Sequence, residues 1–254
     1  MNDLRGPVAV VTGVSRRNGI GFAIARRLLL QGTRVLIHSW AAGDENPDAG
    51  GLPAVLAELE VAGGPVAHVE ADFADPESPA AVIRAARDAL GHIDILVVNH
   101  TLERRGALAE LTADDLDAHL HVSVRAPMLL VKEFAGQHDG RPGGRVVLLT
   151  SGQHLGPMKS EVAYAAAKGA LHQVTLTLSD ELIEHGITVN AVNPGPTDTG
   201  WIPEDWDSRP LMPLGRWGQP DDAARLIAWL CSDDGEWVTG QVINSEGGFR
   251  RWGG

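Results

Sequence analysis

The sequence is poor in the features on which several protein classes depend. Its single cysteine, Cys231, excludes an intrachain disulfide and a metal site built from cysteines. The formal charge of -12 argues against nucleic acid and anionic membranes as partners, because both carry negative charge. No apolar run has the length of a membrane span, and the N-terminal segment lacks a signal-peptide pattern. We therefore expect a cytoplasmic protein.

Metal-binding patterns are missing as well. The ten histidines form no HExxH motif, and His119 and His121 are two residues apart, so they would point in different directions on a helix. The sequence predicts no metal site.

Short apolar runs alternate with longer helical patterns along the chain. The runs predict strands at 8–12, 34–38, 66–70, 94–98, 145–150, 188–192 and 241–244. The helical patterns lie near 19–31, 51–62, 76–90, 112–136, 160–185 and 219–232, and Pro127 should kink or break the fourth. This alternation predicts an α/β fold, a parallel sheet of about seven strands covered by helices on both faces. Residues 1–254 are interpreted as one domain, with a long loop at about 196–220 that is expected to be functional.

A glycine-rich turn follows the first predicted strand. Gly13, Gly19 and Gly21 lie in "TGVSRRNGIG", where a strand ends and a helix begins. Small residues there would let the backbone approach a pyrophosphate, and the helix N-terminus would supply unpaired N–H groups. The alternative is a tight turn whose glycines serve only backbone conformation, since the Gly-x5-Gly-x-Gly spacing departs from GxGxxG.

The second predicted strand bears on the choice of dinucleotide. Many dinucleotide enzymes have an acid at its end, which binds the ribose hydroxyls. Here Ser39 takes that position, so a 2′-phosphate would not be repelled, and Arg16 and Arg17 become candidates to pair with it. This favours NADP over NAD, although both arginines could instead be solvated turn residues.

Tyr164, the only tyrosine, is followed four residues later by Lys168. On a helix the two share a face, and a lysine beside a phenol is expected to lower the phenol pKa and prepare it for proton transfer. Ser151 follows the fifth predicted strand, at the sheet edge where ligands bind, and could hydrogen-bond a carbonyl oxygen. An ordinary neighbour pair on a helix and a turn serine are the alternatives.

Together these motifs resemble the classical short-chain dehydrogenase/reductase family, with β-ketoacyl carrier-protein reductase-like members as the nearest group. The resemblance covers essentially the whole chain and also rests on "DILVVNHT", "NPGPTDT", "PLGRWGQPDD" and "WVTGQVINSEGG". It implies a Rossmann-like doubly wound sheet and an NAD(P)-dependent oxidoreductase. It also implies a homotetramer or homodimer with a small-molecule substrate.

The resemblance implies a role for each matching residue. Tyr164 would be the general acid or base, Lys168 would tune it and hold the nicotinamide ribose, and Ser151 would polarise the substrate carbonyl. The cofactor site would comprise Gly13, Ser15, Arg16, Arg17, Asn18, Gly19, Ile20, Gly21, Ser39, Asp72, Phe73, Asn99, His100, Tyr164, Lys168, Pro194, Gly195, Thr197 and Thr199. His100, His154, Met158, Trp201 and Trp206 are predicted to line the substrate pocket.

Three features depart from the family pattern. The glycine turn is two residues longer than TGxxxGxG, and His100 and Thr101 stand where small residues normally flank the cofactor. Ser123 aligns with the asparagine that completes the family's catalytic tetrad, and serine can also hold a water, with a shorter reach.

The leading functional hypothesis is an NADP-dependent oxidoreductase for a secondary alcohol/ketone pair. The departures keep open a cofactor-binding sensor or scaffold with impaired catalysis. Reduction of another bond, such as an imine, or a dehydratase reaction on the same scaffold is a third possibility. The loop tryptophans could cover an apolar substrate or anchor the loop to the core or to a neighbouring subunit.

Overall fold

The apolar runs form one parallel sheet. A computed structural model describes residues 6–40, 51–200, 202 and 210–252. Within these residues seven strands pair in the order β3-β2-β1-β4-β5-β6-β7. The strands are β1 (Val8–Val11), β2 (Arg34–Ser39), β3 (Val66–Glu70), β4 (Ile95–Val98), β5 (Gly144–Leu149), β6 (Ile187–Asn193) and β7 (Val242–Asn244). Their bounds lie close to the predicted ones, and the predicted doubly wound α/β fold is confirmed.

Helices cover both faces of the sheet. They are α1 (Ile20–Leu30), α2 (Gly51–Ala62), α3 (Ser78–Leu90), α4 (Ala113–Leu120), α5 (Ala126–Gln137), α6 (Val162–Ile183) and α7 (Pro220–Leu230). Successive residues of a strand point to opposite faces. In β1, Ala9 and Val11 accordingly belong to the core under α1 and α7, while Val8 and Val10 belong to the core under α3 and α5.

The predicted helix at 112–136 is divided. A π-helical turn, His121–Arg125, separates α4 from α5, and Pro127 lies in the first turn of α5. Proline has no N–H and cannot bond the carbonyl four residues earlier, which here belongs to Ser123. The interruption therefore falls upstream of the proline, inside the turn that carries Ser123.

The strand order places the predicted motifs together. The sheet grows in opposite directions from the β1–β4 pair, and ligands of such sheets bind outside the carboxyl ends of the strands at this point. The glycine turn follows β1, Asn99 follows β4, Ser151 follows β5 and Pro194 follows β6. None of the helices in the described part of the chain combines the length and apolarity that a membrane span needs.

Candidate active site

A cavity of about 1430 Å³ lies at the carboxyl edge of the sheet. Its lining includes Arg16, Trp40 and Asp72 as well as Met158 and Arg251. The predicted residues that line it are Gly13, Ser15, Arg16, Gly19, Ile20, Asp72, Phe73, Asn99, His100, Ser151, Met158, Tyr164, Lys168, Pro194, Gly195, Thr197 and Thr199. Residues from most of the chain length thus converge on one site.

The glycine turn packs against the loop after β4. Gly13 has φ +72°, and a Cβ there would lie 2.8 Å from the His100 Cα. The Asn99 side-chain amide donates to the carbonyl oxygens of Thr12 and Gly13, at 3.0 Å each. A Cβ on Gly21 would lie 2.5 Å from the Gly13 oxygen. The turn therefore needs glycine at these positions for close packing of backbone against backbone.

His100 is buried, although it stands where the family has a small residue. Its Nε2 lies 3.0 Å from the Val122 carbonyl oxygen, and its Nδ1 lies 2.8 Å from the Thr12 hydroxyl. Since a carbonyl only accepts, Nε2 carries the hydrogen and Nδ1 accepts from Thr12. Burial, and next the neighbouring His38, hold the His100 pKa well below its usual value, so the ring is neutral.

Phe73 lies between two histidines on the wall of the cavity. Its ring centroid is 4.1 Å from that of His38 and 4.1 Å from that of His100. His38 is buried and bonded to the Gly13 amide and the Ala71 carbonyl. Burial lowers its pKa to about 4. His38 was not predicted as a site residue, because its position in the sequence indicated only a strand.

The end of β2 requires a correction. Ser39 is fully buried, and its hydroxyl lies 2.8 Å from His68 Nε2 on β3. Ser39 is therefore directed to the neighbouring strand rather than to the cavity, whose described lining at this point comes from His38 and Trp40. The cofactor contact predicted for Ser39 is wrong.

Three other predicted cofactor residues are not among the described residues that line the cavity. Arg16 lines it and Arg17 does not. Asn18 donates from its side chain to the Thr199 carbonyl at 2.9 Å, which ties the glycine turn to the loop after β6. Gly21 acts through its close approach to Gly13, as described above. Direct cofactor contact by these three residues stays a prediction.

Ser151, Tyr164 and Lys168 meet in the cavity. Ser151 lies two residues after the end of β5. Tyr164 and Lys168 are one helical turn apart on α6. The Lys168 ammonium donates to the Leu149 carbonyl at 2.8 Å and lies 5.6 Å from the centre of the Tyr164 ring. Helix α6 and strand β5 thus hold the three side chains in one place.

The pKa of Tyr164 differs from the expectation. Burial raises it to about 12, and a hydrogen bond with Ser151 offsets this only in part. Burial also lowers the Lys168 pKa to about 8. The ammonium does not overcome the loss of hydration around the phenol, so the predicted lowering of the tyrosine pKa is wrong and Tyr164 holds its proton at neutral pH.

Ser123 lies in the π-helical turn between α4 and α5. It is buried, and its hydroxyl accepts from the Leu102 amide at 3.0 Å and lies 3.1 Å from the Thr101 hydroxyl. In the π-helical turn Val122, not Ser123, is among the described residues that line the cavity. The Ser123 hydroxyl is therefore directed to the loop after β4, and the catalytic role of Ser123 stays a prediction.

The substrate end differs in part from the prediction. Met158 lines the cavity, whereas His154 is exposed and its ring lies 4.5 Å from that of His172, outside the described lining. The pocket role of His154 therefore stays a prediction. Trp201 and Trp206 lie outside the described residues. Trp217 is 8 % exposed and packs into the protein, as the anchoring alternative expected.

The C-terminal segment also reaches the cavity, which the sequence analysis did not predict. Glu246, Phe249 and Arg251 line it. The Asn193 side chain donates to Glu246 at 2.7 Å, and Arg251 donates from Nη1 to the same carboxylate at 2.7 Å. The "SEGGFRRW" segment carried these charges in the sequence, but their contacts depend on the fold.

Comparisons with known proteins identify the family. A family model described as enoyl-(acyl carrier protein) reductase matches residues 13–250. The uncharacterized oxidoreductase YjdA of Bacillus subtilis is 41% identical, with 96% of this chain and 97% of that protein covered. A 3-oxoacyl-[acyl-carrier-protein] reductase of Synechocystis is 32% identical over 98% of this chain and 99% of that one.

A solved structure is also similar. A short-chain dehydrogenase of Burkholderia cenocepacia in complex with NADP aligns with a TM-score of 0.85 and 36% identity, covering 97% of this chain and 99% of that one. The fold and site define an α/β oxidoreductase. The chain belongs to the short-chain dehydrogenase/reductase family.

Proposed function

We propose that the protein is an NADP-dependent oxidoreductase that transfers a hydride between nicotinamide and a secondary alcohol/ketone substrate. One observation carries the proposal: Ser151, Tyr164 and Lys168 line the same cavity as the glycine turn. The reacting groups and the cofactor turn are therefore within reach of one bound substrate and one bound dinucleotide.

The residues present fit a dinucleotide. Gly13 and Gly21 allow the turn to pack against backbone where a Cβ would clash. Gly19, the N-cap of α1, provides no side-chain cap, so the first amides of the helix can face phosphate. Asp72 and Phe73 would hold the adenine end, and Pro194, Gly195, Thr197 and Thr199 the nicotinamide end. When bound, the nicotinamide would supply or accept the hydride.

Tyr164 would move the proton. Because its pKa is raised, the phenol is protonated at neutral pH and can donate to the substrate oxygen as a carbonyl becomes an alcohol. Ser151, which shares a hydrogen bond with Tyr164, would hold the same oxygen. Lys168, fixed on the Leu149 carbonyl, would place a positive charge beside the phenol and so stabilise the phenolate left after proton transfer.

The preference for NADP rests on Arg16. It lines the cavity, as do Trp40 and Asp72, which lie after β2 and β3, where the adenosine ribose would bind. A guanidinium there can pair with a 2′-phosphate. The end of β2 carries Ser39 instead of an acidic residue, so no carboxylate at that position repels the phosphate. The NADP complex of the Burkholderia cenocepacia relative supports this choice.

Replacement of Tyr164 by Phe tests the mechanism. The variant should bind NADPH as the wild type does, while turnover of a ketone panel falls by about a hundredfold or more, because the phenol is the proton donor. NADPH binding is measured by fluorescence titration and turnover by absorbance at 340 nm. Replacement of the exposed Val61 of α2 by Ala is the control, because Val61 lies outside the described lining, and it should leave both unchanged. Equal turnover in the Tyr164→Phe variant and the control would refute the mechanism.

A second function is favoured by one observation. Ser123, at the position of the family's tetrad asparagine, is bonded to Thr101 and Leu102. A protein without that part of the proton path could act as an NADP-binding sensor. In that case wild-type protein would bind NADPH but oxidise none of it with any ketone or imine in the panel.

Self-association belongs to the same proposal. Helix α6 exposes Val162, Leu176 and Ile183, which are 41, 67 and 44 % exposed. Such apolar side chains on one helix support a homotetramer or homodimer. The proposal also assigns residues 1–254 to a single domain with its substrate loop at about 196–220.

A further inference from the structure

Glu246 and Arg251 form an ion pair inside the cavity. Their side chains are only 10 and 16 % exposed, and Arg251 donates to both carboxylate oxygens. Both residues line the space that also contains Ser151 and Tyr164. The proton-transfer mechanism proposed above uses neither of them, and burying two charges needs a reason because desolvation is costly.

The loop after Ser151 makes room for this pair. A Cβ on Gly152 would lie 2.0 Å from Arg251 Nη2, and one on Gly156 would lie 2.7 Å from Arg251 Cδ. Neither glycine has a positive φ, so backbone conformation does not require glycine at either position. The two glycines instead allow an arginine to lie directly against the residue that follows the catalytic serine.

Glu246 is fixed from the other side. Besides Arg251, the Asn193 side chain donates to it at 2.7 Å, and a Cβ on Gly195 would lie 2.8 Å from the Glu246 Cα. The pair therefore joins the loop after β6 to the loop after β5. Its position is set by both of the loops that would contact the nicotinamide and the substrate.

The guanidinium keeps hydrogen-bonding capacity. Two of its five N–H groups donate to Glu246, and no other described residue accepts from the remaining ones. The pair has no net charge. The Arg251 guanidinium can therefore donate to an uncharged oxygen, whereas the Glu246 carboxylate would repel an anionic group. Other charged residues that line the cavity, among them Glu103, Arg104, Arg105, Asp115 and Glu161, are also of both signs.

We propose that Glu246 and Arg251 form a substrate subsite in which Arg251 donates hydrogen bonds to a second, uncharged oxygen of the substrate. The preferred substrate class is then a ketone with a carbonyl or hydroxyl oxygen close to the reacting carbonyl. Arg251 determines this specificity, and Glu246 positions Arg251 and disfavours carboxylates. The inference rests on the proposed function.

The test compares three probes of similar length, namely hexane-2,3-dione, hexan-2-one and 2-oxohexanoate. The intrinsic reactivity of each probe cancels when the ratio of kcat/KM values is compared between variants. In the Glu246→Gln/Arg251→Met double variant, which removes both charges together and leaves neither buried alone, the dione/monoketone ratio should fall about tenfold or more. Arg250→Met is the matched control, because Arg250 is exposed and lies outside the described lining.

The single variant Glu246→Gln tests the charge argument. It keeps an acceptor for Arg251 but removes the carboxylate, so turnover of 2-oxohexanoate relative to the dione should rise about tenfold. A purely structural role would lower all three activities together and leave both ratios unchanged. Ratios in the double variant equal to those of Arg250→Met would overturn the subsite.

A binding measurement separates this inference from the proposed function. Dissociation constants of the three probes are measured on the NADPH complex of the Tyr164→Phe protein, with and without the Glu246→Gln/Arg251→Met changes. Should the wild type reduce none of the probes while the binding ratio still shifts tenfold, the proposed function fails and the subsite stands. Turnover with unshifted ratios in both assays defeats the subsite alone.

Discussion

Gly21, in the first turn of α1, offers a direct test of the cofactor turn. It has no positive φ, so alanine would suit its helical backbone and favour the helix by about 1 kcal/mol. The new methyl group, however, would lie 2.5 Å from the Gly13 carbonyl oxygen and 2.7 Å from the Asn99 side-chain nitrogen. Ordinary contact begins at 3.4 Å, so the turn would have to move by several tenths of an ångström.

The steric effect should exceed the helical one. Overpacking of this kind costs about 1–3 kcal/mol, against the gain of about 1 kcal/mol, so Gly21→Ala should destabilise the protein by roughly 1 kcal/mol. A melting temperature lower by about 2–4 °C follows for a chain of this size. Since Gly13 and Asn99 line the cavity, NADPH affinity should also fall, by about tenfold if one hydrogen bond to phosphate is lost.

Gly136→Ala is the control for this experiment. Gly136 lies in α5, and a Cβ there would meet nothing within 4 Å, so stability should be unchanged or slightly higher. Thermal unfolding followed by circular dichroism gives the stability, and fluorescence titration gives the NADPH affinity. If the two alanine variants melt alike and bind NADPH alike, the close approach of α1 to the Gly13 turn does not constrain cofactor binding.

Two further predictions concern charge. Arg16→Ala should weaken NADPH binding about tenfold or more and leave NADH binding unchanged. Arg17→Ala should lower the affinity for NADPH much less. Equal affinities for NADPH and NADH in the wild type would contradict the assignment. Burial holds the His38 pKa at about 4 against 6.5 in the unfolded chain, so the unfolded state takes up a proton first as the pH falls. The wild type should therefore lose about 2 kcal/mol of unfolding free energy through this residue between pH 7 and pH 5. Urea titration at the two pH values measures this loss, which should be correspondingly smaller in the His38→Phe variant. Identical losses in the two proteins would contradict burial as the cause.

The sequence predicted the sheet well because most of its strands, all except the edge strands β3 and β7, are buried on both faces. Each is a short apolar run, and the helices between them have a clear periodicity. The residues that follow β1, β4, β5 and β6 could be assigned to one site, since parallel strands present their carboxyl ends on the same edge. Gly13 and Ser151 needed only this rule and their positions in the chain, whereas Pro194 was assigned from the family resemblance.

The direction of a side chain was harder to predict. Ser39 bonds His68 on the next strand, and His154 lies beside His172 on α6. Both contacts join residues that are distant in the sequence, so a position next to a motif did not determine what either side chain faces. Arg251 was missed for the same reason, because its place in the cavity depends on two glycines about a hundred residues earlier.

The departures from the family pattern at His100, Thr101 and Ser123 belong to one hydrogen-bonded arrangement. His100 reaches the Val122 carbonyl, Thr101 reaches the Ser123 hydroxyl, and the amide after Thr101 donates to that hydroxyl too. All of these contacts join the loop after β4 to the π-helical turn. A large residue at His100 is accommodated because the turn offers it an acceptor.

This arrangement explains why Ser123 replaces a longer side chain. An asparagine in its place would press on Thr101 and the Leu102 amide, which Ser123 already approaches at 3.0–3.1 Å. Restoring the family residue alone would therefore disturb the loop before it could provide a proton path. In the proposed mechanism the Lys168 ammonium, which is bonded to the Leu149 carbonyl and lies 5.6 Å from the centre of the Tyr164 ring, would assist proton transfer at the phenol in place of residue 123.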